Sequence, residues 1–142
     1  MNKVKILAIF AENKLGQLAH ITRILAEAKV NIRWMTIATS DTFGVCKCLV
    51  DQCELAFQEL KRQGLTVSLL EVLAVEMEDK PGGMYAVADC LAHHQVNVEN
   101  SSGFTFNNRA GLLIETKDLE RGRQALEKAR FHLLTPAEML SW

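Results

Sequence analysis

Residues 12–32 read ENKLGQLAHITRILAEAKVNI, and residues 78–98 repeat the pattern as EDKPGGMYAVADCLAHHQVNV. The offset is 66 positions throughout, and it preserves a glycine in each copy (Gly16 and Gly82) and a later Val-Asn pair. A repeat of this length that occurs only twice predicts two small tandem domains rather than an array. We therefore expect one domain over residues 1–70 and a second over residues 71–142.

The composition is typical of a globular protein with a substantial core. The chain has 142 residues, of which 49% are hydrophobic, and a net charge of −1. Charges of both signs are interspersed, so the sequence gives no electrostatic footprint for nucleic acid or for an anionic membrane surface. No apolar run approaches the roughly 18 residues that a membrane-spanning helix needs. These features argue against nucleic-acid and membrane partners.

The N-terminal residues and the cysteines both give information about the cellular compartment of the protein. Residues 1–5 run straight into a strand-like segment without the apolar region and cleavage site of a signal peptide. The four cysteines, Cys46, Cys48, Cys53 and Cys90, have no counterparts in the other copy, which argues against a disulfide framework. We therefore expect a reduced, cytoplasmic protein.

The order of elements can be predicted from the periodicity of the first copy. Residues 4–11 form a β-prone run, and a loop with Gly16 leads into residues with helical spacing. Two strand-like segments, a second helix ending near Gly64 and a last strand at residues 65–70 follow. The order is β-α-β-β-α-β, and the second copy keeps the same apolar positions. We expect an α+β protein of two tandem ferredoxin-like units, each with helices on one face of an antiparallel sheet.

The predicted first strand is apolar on both faces. Val4, Ile6 and Phe10 alternate with Leu7 and Ile9, although the helices of such a unit cover only one face of its sheet. The second face is therefore expected to meet another layer, either the other copy or another subunit. This favours a sheet-on-sheet homodimer with the helices outside.

The repeated loop between the first strand and the first helix is the candidate binding element. A helix start presents free backbone N–H groups and partial positive charge, which favour a carboxylate. The glycine permits close approach of a ligand to the backbone. Asn13 could hold the carboxylate or the ammonium of an amino acid. The alternative is that Asn13 and Asp79 simply cap their helices, and on chemistry alone this alternative is favoured.

The two copies of this loop, with the helix and the Val-Asn pair that follow, resemble the signature of the ACT domain. That signature is Asp/Asn-x-Pro-Gly-x-Leu, then a helix, then Gly-(Val/Ile)-Asn-Ile, and the chain as a whole is similar to stand-alone proteins built from two ACT domains. The resemblance implies sheets paired side by side and a small-molecule site, usually for an amino acid, at the seam between paired domains. The positions that match the ligand contacts of the family are Asn13, Leu15, Gly16, Gln17, Leu18, Asn31 and Ile32 in the first copy, and Asp79, Pro81, Gly82, Gly83, Met84, Asn97 and Val98 in the second.

Several positions depart from the family pattern. Leu15 stands where proline is expected, so the first loop is less rigid. Asp79 in place of Asn13 would repel a carboxylate unless it serves the ammonium, so the two sites are expected to differ. The segment 100–104 is unusually small and polar for a strand. It could line a pocket or form a bulged edge, and the bulge is favoured.

Metal binding and catalysis find little support. Cys46 and Cys48 could suggest a soft-metal site, but they share one face of a predicted strand and correspond to Leu112 and Ile114, so core packing is the better interpretation. No Ser/His/Asp or Cys/His arrangement repeats between the copies. We expect no cofactor, no metal site and no catalytic residue.

The leading hypothesis is a non-enzymatic regulatory protein that binds an amino acid at the seam between ACT domains. Ligand binding would favour one pairing geometry and signal it to a partner protein, such as a metabolic enzyme. The alternative is a regulatory subunit that acts by protein contact alone, without a small-molecule ligand.

Overall fold

The computed structural model describes residues 3–142, and the chain divides into two compact units. The first unit is Lys5–Leu70, and the second is Glu71–Trp142 together with Lys3 and Val4. None of the helices within residues 3–142 has the length and apolar character required to cross a membrane.

The first unit has the predicted β-α-β-β-α-β order. Three of its strands pair antiparallel in the order β2-β3-β1, and the first part of β4 lies beside β1. One irregularity interrupts this ladder, a register shift in β2 between Ile32 and Trp34. The elements are β1 Val4–Glu12, α1 Gln17–Glu27, β2 Ile32–Ser40, β3 Phe43–Val50, α2 Cys53–Arg62 and β4 Thr66–Met77.

The core of the first unit lies between its helices and one face of the sheet. Leu7 and Ile9 of β1 pack with Leu25 of α1 and Leu60 of α2, and all four side chains are fully buried. Side chains alternate between the two faces of a strand, so Ile6 and Phe10 point to the opposite face. The predicted α+β class and ferredoxin-like pattern are confirmed.

The second unit repeats this arrangement in the same register. In the first unit Ile37 pairs with Cys46, and 66 positions later Gly103 pairs with Leu112. The strand order is β4-β6-β5, so β5 lies at the edge. The remaining elements are α3 Gly83–His93, β5 Asn100–Phe106, β6 Arg109–Glu115, α4 Leu119–Lys128 and α5 Pro136–Ser141.

The C-terminal part of the second unit departs from the repeat. The expected last strand is reduced to a short segment in which Leu133 bridges Val75. A fifth helix, which the repeat did not predict, then begins after Thr135, whose side chain accepts a hydrogen bond from the Glu138 N–H at 3.2 Å. A Thr cap followed by Pro136 is a typical helix start. The second unit therefore has an element that the first unit lacks.

All four helices of the repeat stop with a residue in the left-handed conformation. Gly64 has this role after α2 with φ 87°, which suits a residue without a Cβ. The other three positions carry side chains, namely Lys29 with φ 60°, Gln95 with φ 59° and Arg130 with φ 67°. The backbone geometry of the helix ends is therefore preserved even where the favoured glycine is not.

Candidate functional site

Both strand-to-helix loops end in a glycine with the same backbone geometry. Gly16 has φ 85° and Gly82 has φ 89°, and a Cβ built on either would meet no atom within 4 Å. The glycines are therefore required by backbone conformation and not by crowding. No side chain caps the start of α1 or α3. The N–H of the first helical residue bonds within the loop, from Gln17 to the Lys14 carbonyl at 3.3 Å and from Gly83 to the Lys80 carbonyl at 3.0 Å. The next two N–H groups of each helix are left for solvent or a ligand.

The proposed capping role of Asn13 is wrong, and the reason is a contact that is distant in sequence. The Asn13 side chain donates from Nδ2 to the carbonyl of Asp41 at 2.8 Å, and its backbone N–H donates to the carbonyl of Thr42 at 2.8 Å. Asn13 thus ties the loop to the turn between β2 and β3. Its amide is already engaged, which reduces its value as a ligand contact.

Asp79, the counterpart of Asn13, is in a different situation. It does not cap α3, and it makes no hydrogen bond or ion pair with any residue between Lys3 and Trp142. Its neighbours Glu78 and Lys80 do pair, with 2.7 Å between the carboxylate and the ammonium. The hydrogen bond with Glu78 raises the pKa of Lys80. Asp79 is therefore an exposed carboxylate without a partner among the described residues, and it lies beside the first turn of α3.

A groove of about 680 Å³ lies between this loop, the start of α3 and the edge strand β5. Its volume falls in the range of small-molecule sites in proteins, about 300–1,000 Å³. The walls combine methionine and other small or apolar groups with the Asp79 loop. The lining residues are Met77, Glu78, Asp79, Lys80, Pro81, Met84, Gly103, Phe104, Thr105 and Ala110.

Three predicted site residues of the second unit, Asp79, Pro81 and Met84, line this groove. Gly82 and Gly83 form the adjoining cap and first turn of α3. Gly83 is also a point of close approach, because a Cβ there would lie 2.0 Å from the carbonyl oxygen of Glu78. The loop half of the predicted site is thus assembled around one groove.

Asn97 and Val98 are not among the groove residues. They follow the C-terminal end of α3, and a helix of 11 residues is about 16 Å long at 1.5 Å per residue. The same holds in the first unit, where Asn31 and Ile32 follow α1 and the Asn31 N–H donates to the Asp51 carboxylate at 2.9 Å. Within a single unit the loop and the Val-Asn pair do not meet.

The other predicted residues of the first unit differ sharply in exposure. Leu15 is fully exposed and Leu18 is 42% exposed, whereas Gln17 is only 9% exposed. The Gln17 side chain is therefore part of the packing at the start of α1. The first loop therefore has fewer free polar groups than the second, because Asn13 is bound to the turn between β2 and β3 and Gln17 is buried.

Sequence reasoning missed the groove residues that come from the sheet, above all Gly103 and Thr105. The signal was the small, polar segment 100–104, for which a bulged edge was favoured. That expectation is wrong, since β5 pairs with β6 from Asn100 to Phe106 without a register shift. The pocket-lining alternative agrees with the structure, and the irregularity lies in β2 instead.

The opposite sheet face of the second unit carries a separate cluster. Arg109 donates two hydrogen bonds to Glu76, both at 3.0 Å, and its guanidinium lies 4.2 Å from the ring of Trp142. Phe104 meets the same ring edge-on at 5.5 Å. The hydrogen bond from Arg109 lowers the pKa of Glu76. Trp142, at the end of α5, thereby covers part of this face.

The cysteines of the first unit belong to its core, as expected. Cys46 and Cys48 are fully buried, and burial raises the pKa of Cys48 to about 12, with Cys46 and Cys53 adding to the effect. A thiol with such a pKa is a poor metal ligand and nucleophile at neutral pH. Within residues 3–142 no group of three or more His, Cys, Asp or Glu side chains is arranged to hold a metal ion.

Two tandem ferredoxin-like units, each with a glycine-ended loop before an uncapped helix, define a class of small α+β proteins with related loop sites. The sequence matches the ACT domain pair family over residues 2–140, and the chain belongs to that family. Membership of this family supports a regulatory role. Among curated proteins, none matches the chain in sequence.

Solved structures agree with this assignment of the fold. A protein from Bacteroides thetaiotaomicron superposes with a TM-score of 0.92 at 27% sequence identity, over 97% of this chain and 96% of that one. The ligand-free regulatory subunit of aspartate kinase from Thermus thermophilus has a TM-score of 0.64 at 17% identity, over 91% and 93%. Aspartate kinase from Synechocystis has a TM-score of 0.60 at 18% identity, over 95% of this chain and 27% of that one.

Proposed function

We propose that the chain is a non-enzymatic, cytoplasmic regulatory protein that binds a free amino acid and signals its presence to a partner protein. The observation that carries this proposal is the groove at the Glu78–Gly83 loop. There, an Asp79 carboxylate without an ion-pair partner among residues 3–142 lies beside the N–H groups of Met84 and Tyr85 in the first turn of α3. An amino acid has the complementary pair of charges.

In this proposal the ammonium of the ligand pairs with Asp79, and its carboxylate accepts hydrogen bonds from the first turn of α3. Gly82 keeps the approach to that turn open. Bound ligand would stabilise the loop and the adjoining strand β5, so that the liganded conformation is populated at the expense of others. A homodimer would transmit this shift to a metabolic enzyme. A regulatory subunit of aspartate kinase shares the fold, which is compatible with such a partner.

A thermal-shift panel of the twenty amino acids tests the proposal. A ligand that binds only the folded state raises the melting temperature, by an amount that depends on its concentration relative to Kd. We expect one or a few amino acids to do so. Gly82→Asp places a like charge at the carboxylate position and should abolish the shift. Gly16→Asp is the matched control, with the same backbone strain in the first unit, and should leave the shift from the groove of the second unit intact.

A second candidate is a regulatory subunit that acts by protein contact alone. It is favoured by the stacked pair Phe10 and Phe43, whose rings are 5.1 Å apart and about half exposed. Exposed aromatic pairs of this kind are frequent at protein interfaces. If no amino acid shifts the melting temperature, and Phe43→Ala weakens association with a co-purifying enzyme, this candidate replaces the first.

A further inference from the structure

The charges in the groove of the second unit restrict what a ligand can be. Glu78, Asp79 and Lys80 are the charged groups of the lining, and Glu78 and Lys80 neutralise each other. After an ammonium has paired with Asp79, the lining offers no further uncompensated charge. A charged side chain on the ligand would therefore lose part of its hydration without gaining a partner.

The rest of the lining is suited to apolar contact. Met77, Met84, Pro81 and Ala110 surround the groove. Methionine side chains are flexible and polarisable, so they adapt to apolar ligands of different shapes. Thr105 supplies one hydroxyl, which is a minor polar contribution to such a wall.

Gly103 is a groove position at which the side chain of the second unit is much smaller than that of the first. Its counterpart in the first unit is Ile37, which pairs in the same register and is 42% exposed. A Cβ on Gly103 would lie 3.5 Å from the Met84 methyl and 3.9 Å from Leu112, both ordinary contacts. A larger side chain would extend toward Met84 and fill the groove, as Ile37 is placed to do in the first unit.

We propose that the second unit binds an amino acid with an uncharged, apolar side chain, and that Gly103 is the residue that makes room for it. The inference rests on the proposed function, since it specifies the ligand of the same groove. It adds a specificity-determining residue outside the repeated loop. It also explains why the second unit, and not the first, would be the occupied one.

Isothermal titration calorimetry on the full chain with L-leucine, L-glutamate and L-lysine tests this inference. Wild-type protein should bind leucine at least about tenfold more tightly than the two charged amino acids, which corresponds to ~1.4 kcal/mol. Gly103→Ile should reduce leucine affinity by at least about tenfold. The variant should fold, because isoleucine is favoured in strands and its Cβ meets no close contact.

Ser101→Ile is the matched control. Ser101 lies two residues before Gly103, on the same face of β5. Its side chain is exposed and does not line the groove. The Ser101→Ile variant should bind leucine with an affinity within about twofold of wild type. Circular dichroism should show that both variants are folded.

The outcomes separate the two levels of the proposal. A tighter complex with glutamate or lysine, or unchanged leucine binding by Gly103→Ile, overturns the inference while leaving amino-acid binding in place. The absence of binding by any of the twenty amino acids overturns the proposed function itself, and the inference with it.

Discussion

The same two sheet positions hold a pair of phenylalanines in the first unit and an ion pair in the second. Phe10 and Phe43 stack at 5.1 Å, and 66 positions later Glu76 and Arg109 form two hydrogen bonds. The backbone register around them is the same in both units, since Phe10 pairs with Val45 and Glu76 with Gly111, 66 positions later. The repeat therefore preserves the backbone and its strand pairing, while the surface side chains have diverged.

The two pairs differ in how far they are exposed to solvent. In the second unit Trp142 stacks on Arg109 and is only 9% exposed. In the first unit Phe10 and Phe43 are about half exposed. An apolar pair that stays exposed is a candidate contact surface, whereas the ion pair is already covered by the unit's own C-terminal segment. In the functions proposed above, the first unit would offer the surface for protein contact and the second the groove for a ligand.

The largest expected difference in stability between the two units comes from the first turn of α3, compared with that of α1. Gly83→Ala should destabilise the second unit by about 3 kcal/mol, since the new Cβ would meet the Glu78 carbonyl, a backbone atom that cannot move aside easily. Urea unfolding measures this effect, with Trp34 reporting on the first unit and Trp142 on the second.

Two controls isolate the cause. Gln17→Ala changes the equivalent residue of the first unit, which already accommodates a Cβ, and should cost less. Gly82→Ala introduces a Cβ that meets nothing, so it should cost only the left-handed backbone strain of about 1–2 kcal/mol. Wild-type stability in Gly83→Ala would show that the loop shifts freely.

The ion pair of the second unit and the phenylalanine pair of the first should also contribute differently to stability. Arg109→Ala removes two charge-assisted hydrogen bonds and the contact with Trp142. Because the guanidinium is exposed to solvent, this substitution should lower the unfolding free energy by less than Gly83→Ala does, but by more than the matched change in the first unit. Phe43→Ala, the matched change in the first unit, should cost about 1 kcal/mol or less, since it loses one exposed aromatic pair. Urea unfolding at neutral pH provides the comparison.

The stability contributed by the Glu76–Arg109 pair should depend on pH, whereas that of the Phe10–Phe43 pair should not. Arg109 holds the pKa of Glu76 below its ordinary value of 4.5, so the folded state favours the charged carboxylate. This contribution to stability is complete above the ordinary value and disappears as the pH falls through the lower folded pKa. Wild-type protein should lose stability in that window, and Arg109→Ala should lose less. An equal loss in both would show that Glu76 is not the titrating group.

The elements were predictable because apolar periodicity is local and both copies carry it. The buried stripe of α1, with Ile21 and Leu25, and the alternation of Cys46 and Cys48 in β3 follow from spacing alone. The loop half of the site, including Asp79 and Met84, followed from the repeated glycine.

What could not be predicted depends on contacts distant in sequence. Asn13 binds the turn at Asp41, 28 residues away, so its residue type suggested a cap that does not form. Helix α5 was missed because the repeat aligns residues 132–142 with the strand at 66–76. The local signal was present, since Thr135, Pro136 and Glu138 are typical of a helix start. Gly103 became informative only once its register with Ile37 was known.

The smallest expected change in unfolding free energy comes from exchanging the residues Gly64 and Arg130. They occupy the same left-handed position after α2 and α4. Arg130→Gly should stabilise the second unit by about 0.5–1 kcal/mol, because relief of backbone strain exceeds the added freedom of the unfolded chain. Gly64→Arg should destabilise the first unit by a similar amount. Urea unfolding with the tryptophan of each unit measures both, and Arg130→Ala keeps the strain while removing the side chain. If Arg130→Ala stabilises as much as Arg130→Gly, the side chain and not the backbone is responsible, and the two positions are not equivalent.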